Sequence, residues 1–472
     1  MAFSGRPIWE VRTTGSDTSG GAFISGASGS DYSQQNSPQY SGTDLEVNAS
    51  NDLQVKSATA GSPVAADVGN VIRISAGTFW TTGWYEIQSQ DGTWWTLDRS
   101  PNSAGSTGGT FAVGGAVASP GVAASVSNSL YTGSNLRGKI FIESGTYPIT
   151  SAGSITSSPV SGCSIDYGAF LNFYGYDSTN GRNNKPTSYP ILQSQSGYTG
   201  RVYYGRYSGN ASYNFGKIVW LELDGNGLPS SGTPVCQTPS EAWECTIKGP
   251  KGGGCASGGS YWHCHIDATG MNAYQTAMTG TAYYSFIASN SYRTYAVFNG
   301  SALFCVIRGG TSSYPVVRMG RHTRLIGCRV HSWSGPDLID AASFSHHQTI
   351  MNNIFVGNGT QDLFSTTPTV TANGTIFRNN YYYGCTNQGI SGMTSDVVLE
   401  NPIALSQDPF TDSANQDYTL DPTGADYTTI LSANDSGLAV PNTTVGPRLS
   451  SFTENVGGGS TVQTVASIER LK

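Results

Sequence analysis

From Lys217 onward the chain repeats one short hydrophobic pattern. Eight segments, "VWLELDG", "WECTIKG", "WHCHIDA", "YSFIASN", "LFCVIRG", "IGCRVHS", "MNNIFVG" and "RNNYYYG", align on Leu221, Cys245, Cys264, Ser285, Cys305, Cys328, Asn353 and Asn380. The intervals are 24, 19, 21, 20, 23, 25 and 27 residues. Two positions later stand Leu223, Ile247, Ile266, Ile287, Ile307, Val330, Phe355 and Tyr382; two earlier stand Val219, Trp243, Trp262, Tyr283, Leu303, Ile326, Met351 and Arg378. Strand side chains alternate with a period of two, so these columns predict one inward face, with the residues between them pointing out. One such strand per repeat predicts a solenoid, in which each coil buries its inner face only against its neighbours. The economical form is a parallel β-helix, with equivalent residues stacked ~4.8 Å apart as inward ladders. Cysteine is small and readily buried, and asparagine can hydrogen-bond along a ladder.

Helix-period patterns are nearly absent, so the chain reads as all-β. The exception is "SPGVAASVSNSL", where Ser119 suits an N-cap, Pro120 the first helical position, and Val122, Val126 and Leu130 share a face. Before it, "VIRISAG", "WYEIQSQDG" and "WWTLDRS" are alternating runs split by glycine-containing turns, as in a small meander or barrel. These patterns divide the chain into an N-terminal strand and turn (1–28), an inserted β module (29–112), a capping helix with the parallel β-helix (113–392), and a C-terminal capping segment and tail (393–472).

Composition narrows the partners. Only 12% of the 472 residues are charged, and a net charge of −7 without a basic run argues against nucleic acid and anionic membranes. No window approaches the ~18 apolar residues of a membrane span, so no membrane insertion is expected. The N-terminus shows no apolar run of signal-peptide length, which predicts synthesis without a secretory signal. Eight cysteines without C-x-x-C spacing do not make a disulfide framework, and the pairing of Cys163, Cys236, Cys255 and Cys385 stays open.

"YWHCHIDATG" has the residue types of a metal site, but as a ladder rung it turns Cys264 inward and His263 and His265 outward, away from one shared ion. His346 and His347 are consecutive and diverge in a strand. No metal and no cofactor is therefore expected. The same register sets Glu244 beside His263, with Asp267 nearby, as candidates for general acid–base chemistry on a sugar. The competing reading is a cross-strand charge pair worth a few tenths of a kcal/mol. Tyr284, Phe286 and Phe304 are turned outward and are the candidates for stacking on glycan rings, or for packing a subunit interface.

Three stretches carry a family resemblance. "WEVRTTGSDTSGGAF", the run "ASPGVAASVSNSLYTGSNLRGKIFIESGTYPIT" and "NPIALSQDPFTDSANQDYTLDP" resemble the opening turn, capping helix with first coil, and closing segment of pectate-lyase-like right-handed parallel β-helix proteins, of the kind found in bacteriophage tail spikes and appendages. The resemblance implies a right-handed, single-stranded helix. It implies a virion structural protein, a tail spike, fibre or capsid-decorating appendage, assembled as a homotrimer with other virion proteins and facing host-surface polysaccharide. Because this fold hosts many chemistries, two alternatives stand beside it: a polysaccharide depolymerase on the Glu244, His263, Asp267 face, and a bacterial surface adhesin or fibre subunit. The calcium-holding carboxylate cluster and arginine base of pectate lyases have no counterpart in this pattern, which counts against lyase chemistry.

Overall fold

The computed structural model describes residues 3–430 except 103–104, 131–137, 151–154, 157–170, 199, 206–215, 226–233, 238, 250–253, 269–274, 290–293, 310–313, 321, 333–334, 336, 341–346, 365–374, 387–397, 400–401, 413–416 and 428–429. Cys163, His346 and the glycine-rich tail lie outside the described residues. The chain divides into two units, Met1–Ser260 and Tyr261–Lys472. Both are built of strands, and each contains parallel pairing columns. Among the described residues no helix is long and apolar enough to cross a membrane.

In the first unit, the alternating runs after residue 40 close into a six-stranded antiparallel barrel. Its order is Tyr40–Asn48, Asn51–Lys56, Trp95–Leu97, Gly83–Gln90, Val71–Ala76, Gly109–Val113 and back to the first strand. Alternation sends Leu45, Val47, Val55, Ile72, Ile74, Tyr85, Ile87, Trp95 and Phe111 into one core. The turn at Asp91 is set by its carboxylate, which accepts from the backbone N–H of Thr93 and Trp94 at 2.9 and 2.8 Å. Asp67 is buried in this barrel and accepts from Trp95 Nε1 at 2.7 Å and from the Val64 N–H at 2.9 Å.

Ahead of the barrel, Pro7–Val11 pairs antiparallel with Ala22–Ile24 and parallel with Lys139–Glu143. Asp17 of the G-S-D turn accepts from the N–H groups of Ala118 and Ser119 at 3.0 and 2.9 Å. It thereby holds the chain just before the helix Pro120–Leu130. The fully buried Glu10 is kept by Arg12 and Arg182, and Tyr176 donates to it.

Beyond the helix the unit repeats three short strands, each paired in parallel with the strand three places later. One column runs Lys139–Glu143, Asn172–Tyr176, Lys217–Val219, Glu241–Trp243. A second runs Thr146–Ile149, Ile191–Ser194, Glu222–Asp224, Thr246–Lys248.

The second unit repeats this arrangement through Phe286–Ser289, Val306–Gly309, Arg329–Ser332 and Ile354–Phe364, and through Ser301–Leu303, Arg324–Ile326, Thr349–Met351 and Ile376–Arg378. A C-terminal hairpin, Phe410–Asp412 with Asp417–Leu420, places Phe410 and Leu420 in one apolar cluster with Phe286, Val306, Ile354 and Tyr381.

Each rung bends where the sequence pattern implied a continuous strand. The residue before the ladder position has a left-handed backbone throughout: Trp220 (φ 57°) and Glu244 (49°) in the first unit, and His263 (51°), Tyr284 (48°), Phe304 (56°), Gly327 (63°), Asn352 (55°) and Asn379 (52°) in the second. This bend breaks the alternation. The inward residue lies three positions before the ladder, not two: Ile218 and Ala242, then Tyr261, Ala282, Ala302, Leu325, Ile350 and Phe377, all buried. Of the expected inward column Val219 is buried, while Trp243, Trp262, Tyr283, Leu303, Ile326, Met351 and Arg378 are only half-buried.

At the ladder position itself, Leu221, Cys245, Cys264, Ser285, Cys305, Cys328, Asn353 and Asn380 are all buried. Their chemistry answers the bend. Ser285 Oγ accepts the Cys264 N–H at 3.0 Å, Asn353 Oδ1 accepts the Cys328 N–H at 2.8 Å, and Asn380 Oδ1 accepts the Asn353 N–H at 3.2 Å. The thiols of Cys245 and Cys305 each lie 3.3 Å from the carbonyl two residues earlier and donate to it. A small side chain with a polar tip thus satisfies backbone groups that the interrupted strand leaves over.

Candidate functional site

The sequence candidates for acid–base chemistry are distributed between the units. Glu244 lies in the first, at a left-handed bend, and its carboxylate forms an ion pair with Lys185. Its placement beside Lys185 came from a loop 59 residues earlier in the chain, which strand register alone does not reveal. His263 and Asp267 lie in the second unit. The His263 ring stacks on Tyr284 at 5.3 Å and 12°, and Tyr284 stacks in turn on Phe304 at 5.2 Å and 14°. Beside them Trp262 stacks on Tyr283 at 3.9 Å and 8°. His263 therefore serves as one rung of an aromatic stack, and Asp267 is half-buried on the strand His265–Asp267.

The three glycan candidates separate. Tyr284 and Phe304 are half-buried members of the stack. Phe286 is only 2% exposed, because Phe410 and Leu420 of the C-terminal hairpin share its cluster, so it is corrected from surface residue to core. Within the stack each ring covers part of its neighbour's face, and His263, Tyr284 and Phe304 are all half-buried. The stack stops at Gly327, where an added Cβ would meet Phe304 Cδ1 at 2.7 Å. Trp262 and Tyr283 were missed as surface aromatics because the continuous-strand reading turned them inward. The doubled aromatics in "YWHC" and "YYSF" were the available signal.

A second cluster in this unit went unread. Asp337 and Asp362 are register partners on adjacent parallel strands, so their backbones stand ~5 Å apart with side chains on one face. Two residues beyond Leu338, Asp340 pairs with Arg318 at 3.4 Å and accepts from the Tyr295 hydroxyl at 3.4 Å. Burial, followed by the charges of Asp362 and Asp340, pushes Asp337 up to about 6. Such a carboxyl holds a proton close to neutral pH beside a second carboxylate, an arrangement suited to general acid–base work. The nearby Cys385 thiol is pushed up to about 12, first by burial and then by Asp362, and is inert as a nucleophile near neutral pH. The signal for this pair was present: "PDLID" and "QDLF" place an aspartate nine residues after the ladder residue of two successive rungs.

No protein-family model matches the chain, and no curated protein matches it. Among solved structures it is similar to the ORF18 protein of Geobacillus virus E2, with 12% identity and a TM-score of 0.30 over 60% of this chain and 56% of that one. The aligned part thus spans little more than half of the viral protein. It is also similar to the A-module of the mannuronan C-5 epimerase AlgE4 of Azotobacter vinelandii, with 12% identity and a TM-score of 0.23 over 57% of this chain and 91% of that one. At these scores neither likeness carries a fold or an activity across.

Proposed function

We propose that the chain is a structural virion protein, a tail spike, fibre or capsid-decorating appendage, whose parallel columns wind into a right-handed single-stranded β-helix. The observation that carries this reading is the repeated rung: parallel strands in register, a left-handed bend before each ladder residue, and a buried polar tip satisfying the backbone there. Repeats joined in this way make a stiff element held by nearest-neighbour contacts. In this reading residues 29–112 are a module inserted ahead of the capping helix, 113–392 form the rod, and 393–472 close it. A homotrimer with other virion proteins as partners, and host-surface polysaccharide as ligand, completes the proposal. The half-buried aromatic residues Trp262, Tyr283, Tyr284 and Phe304 are its glycan-facing surface in this reading. Peptide mass spectrometry of purified particles tests the assignment. Recovery of the chain in the cell-surface fraction and its absence from particles would instead support an adhesin or fibre subunit.

The Asp337–Asp362 pair favours a second reading, a polysaccharide depolymerase. In-register strands put the two aspartates side by side on one face, with backbones ~5 Å apart, and two carboxyl groups are what glycoside hydrolysis requires. Release of reducing ends from host capsule or lipopolysaccharide, lost in Asp337→Asn, supports it. Release that survives Asp337→Asn but is lost in Glu244→Gln moves the chemistry to the first unit, at Glu244. Intact polysaccharide across a host panel removes the enzyme reading.

A further inference from the structure

We propose that His322 and His347 form a two-imidazole site for a divalent transition-metal ion, which ties neighbouring repeats of the second unit together. Their rings lie 5.2 Å apart, centroid to centroid, and within 9° of parallel. Both residues are exposed. They occupy the same place in successive repeats: each lies three residues before Leu325 or Ile350, which are register partners on adjacent strands. The backbone around the pair is pinned. The Thr349 N–H donates to the Thr323 carbonyl at 3.0 Å, and Gln348 Nε2 donates to the Gly320 carbonyl at 2.9 Å. The side chains alone are left to turn.

A left-handed backbone does not by itself call for histidine here. Asn299 holds the same place one repeat earlier, also exposed, with φ 51°, against 58° at His322 and 48° at His347. Asparagine thus suffices for the bend, and two successive imidazoles add donor nitrogens that the bend does not require. Imidazole is the commonest side-chain ligand for transition metals. Metal–nitrogen bonds of ~2.0–2.1 Å place two ligand nitrogens up to ~4 Å apart, so the two exposed rings must rotate out of their parallel stack until one in-plane nitrogen lone pair of each points at the shared ion. Among the described residues no group of three or more His, Cys, Asp or Glu side chains is placed to hold a metal ion. The site is therefore an open two-ligand one, with water completing the shell. Nitrogen sites of this kind favour Cu²⁺ over Ni²⁺ and Zn²⁺. An ion held there links two side chains from adjacent repeats and stabilises the folded form that presents them together.

The test is calorimetric titration of the full chain with Cu²⁺ and with Ni²⁺, alongside His322→Asn and His347→Asn. Asparagine is the replacement because Asn299 already occupies this bend, so both variants should keep the wild-type melting curve without metal. One equivalent of metal should bind the wild type. Each variant should lose at least the ~10–100-fold in affinity that removal of an outer-shell partner costs at metal sites. Electron paramagnetic resonance of the Cu²⁺ complex should show two coordinating nitrogens in the wild type and fewer in either variant. Added Ni²⁺ should raise the melting midpoint of the wild type and leave both variants unmoved. Unchanged affinity in either variant overturns the site, and binding without a rise in melting midpoint overturns its role in joining the repeats.

Discussion

Replacing Asn353 with leucine tests the role assigned to the polar ladder. Asn353 is fully buried; its Oδ1 accepts the Cys328 N–H at 2.8 Å, and its Nδ2 donates to the Leu325 carbonyl at 2.8 Å and to Asn380 Oδ1 at 2.9 Å. Leucine has the same branched skeleton of four side-chain heavy atoms with bulkier methyl tips, and Leu221 fills the same ladder position in an earlier rung, so no cavity opens and only some overpacking is added. What changes is that three hydrogen bonds vanish and the Cys328 N–H faces an apolar side chain. A buried group left unsatisfied costs about 1–3 kcal/mol, so two such groups with partial relaxation give a loss of about 3–4 kcal/mol. Asn353→Ser should lose less, because Ser285 performs the same capping three rungs earlier in the chain, accepting the Cys264 N–H at 3.0 Å. Urea unfolding followed by tryptophan fluorescence, with the slope compared between variants, reads both changes. A leucine variant within 1 kcal/mol of wild type, or a serine variant weaker than the leucine one, would refute the capping role.

Three further outcomes follow from the same structure. Asp337 is raised from 3.8 to about 6, so its contribution is present below pH 4 and lost as pH climbs through 6; that displacement corresponds to roughly 3 kcal/mol before solvent screening and about 1 kcal/mol after it. Asp337→Asn should therefore match wild type in melts at pH 4 and exceed it at pH 7.5, and a difference independent of pH would contradict the assignment. Cys264→Asp, which buries a charge, should lower stability far more than His263→Ala, which keeps the left-handed backbone cost that His263 already carries and removes one stacking contact of about 0.5–1.5 kcal/mol; comparable melts for the two would discard the register. Phe410→Ala should cost about 3–5 kcal/mol and raise binding of a hydrophobic dye, because it uncovers Phe286, Val306 and Ile354; an unchanged melt would mean that the hairpin does not stabilise that face.

The ladder was legible because one residue class, small with a polar tip, recurs at one buried position beside a bend. The bend was not. Trp220, Glu244, Tyr284 and Phe304 are poor markers of a left-handed backbone, and only His263, Gly327, Asn352 and Asn379 are of residue types enriched there. Without the bend, "WECTIKG" reads as one alternating strand, and Trp243 replaces Ala242 as the inward residue. Phe286 was misread for a different reason: its cover arrives from Phe410 and Leu420, more than a hundred residues later. The barrel's strand runs were visible, while its closure of Gly109–Val113 onto Tyr40–Asn48 depends on pairing distant in sequence. Asp337 and Asp362 were overlooked because they sit off the ladder columns, although their common offset from Cys328 and Asn353 was there to be counted.

The bends also constrain how any glycan is held. A left-handed non-glycine residue costs about 1–2 kcal/mol, and a stacked aromatic pair returns about 0.5–1.5 kcal/mol. Stacking of His263 on Tyr284 and of Tyr284 on Phe304 therefore offsets strain that those residues themselves carry. Rings whose faces are used in this way offer a sugar their edges and polar tips rather than a flat platform. Recognition under the proposed function then runs through groups such as the Tyr284 hydroxyl. Tyr284→Phe keeps the stack and removes that hydroxyl, so it should leave the melting midpoint unchanged and weaken binding to a host-polysaccharide array. Tyr284→Ala should lower both. Wild-type binding by the phenylalanine variant, with binding lost only when the stack is removed, would return the ring faces to the centre of recognition.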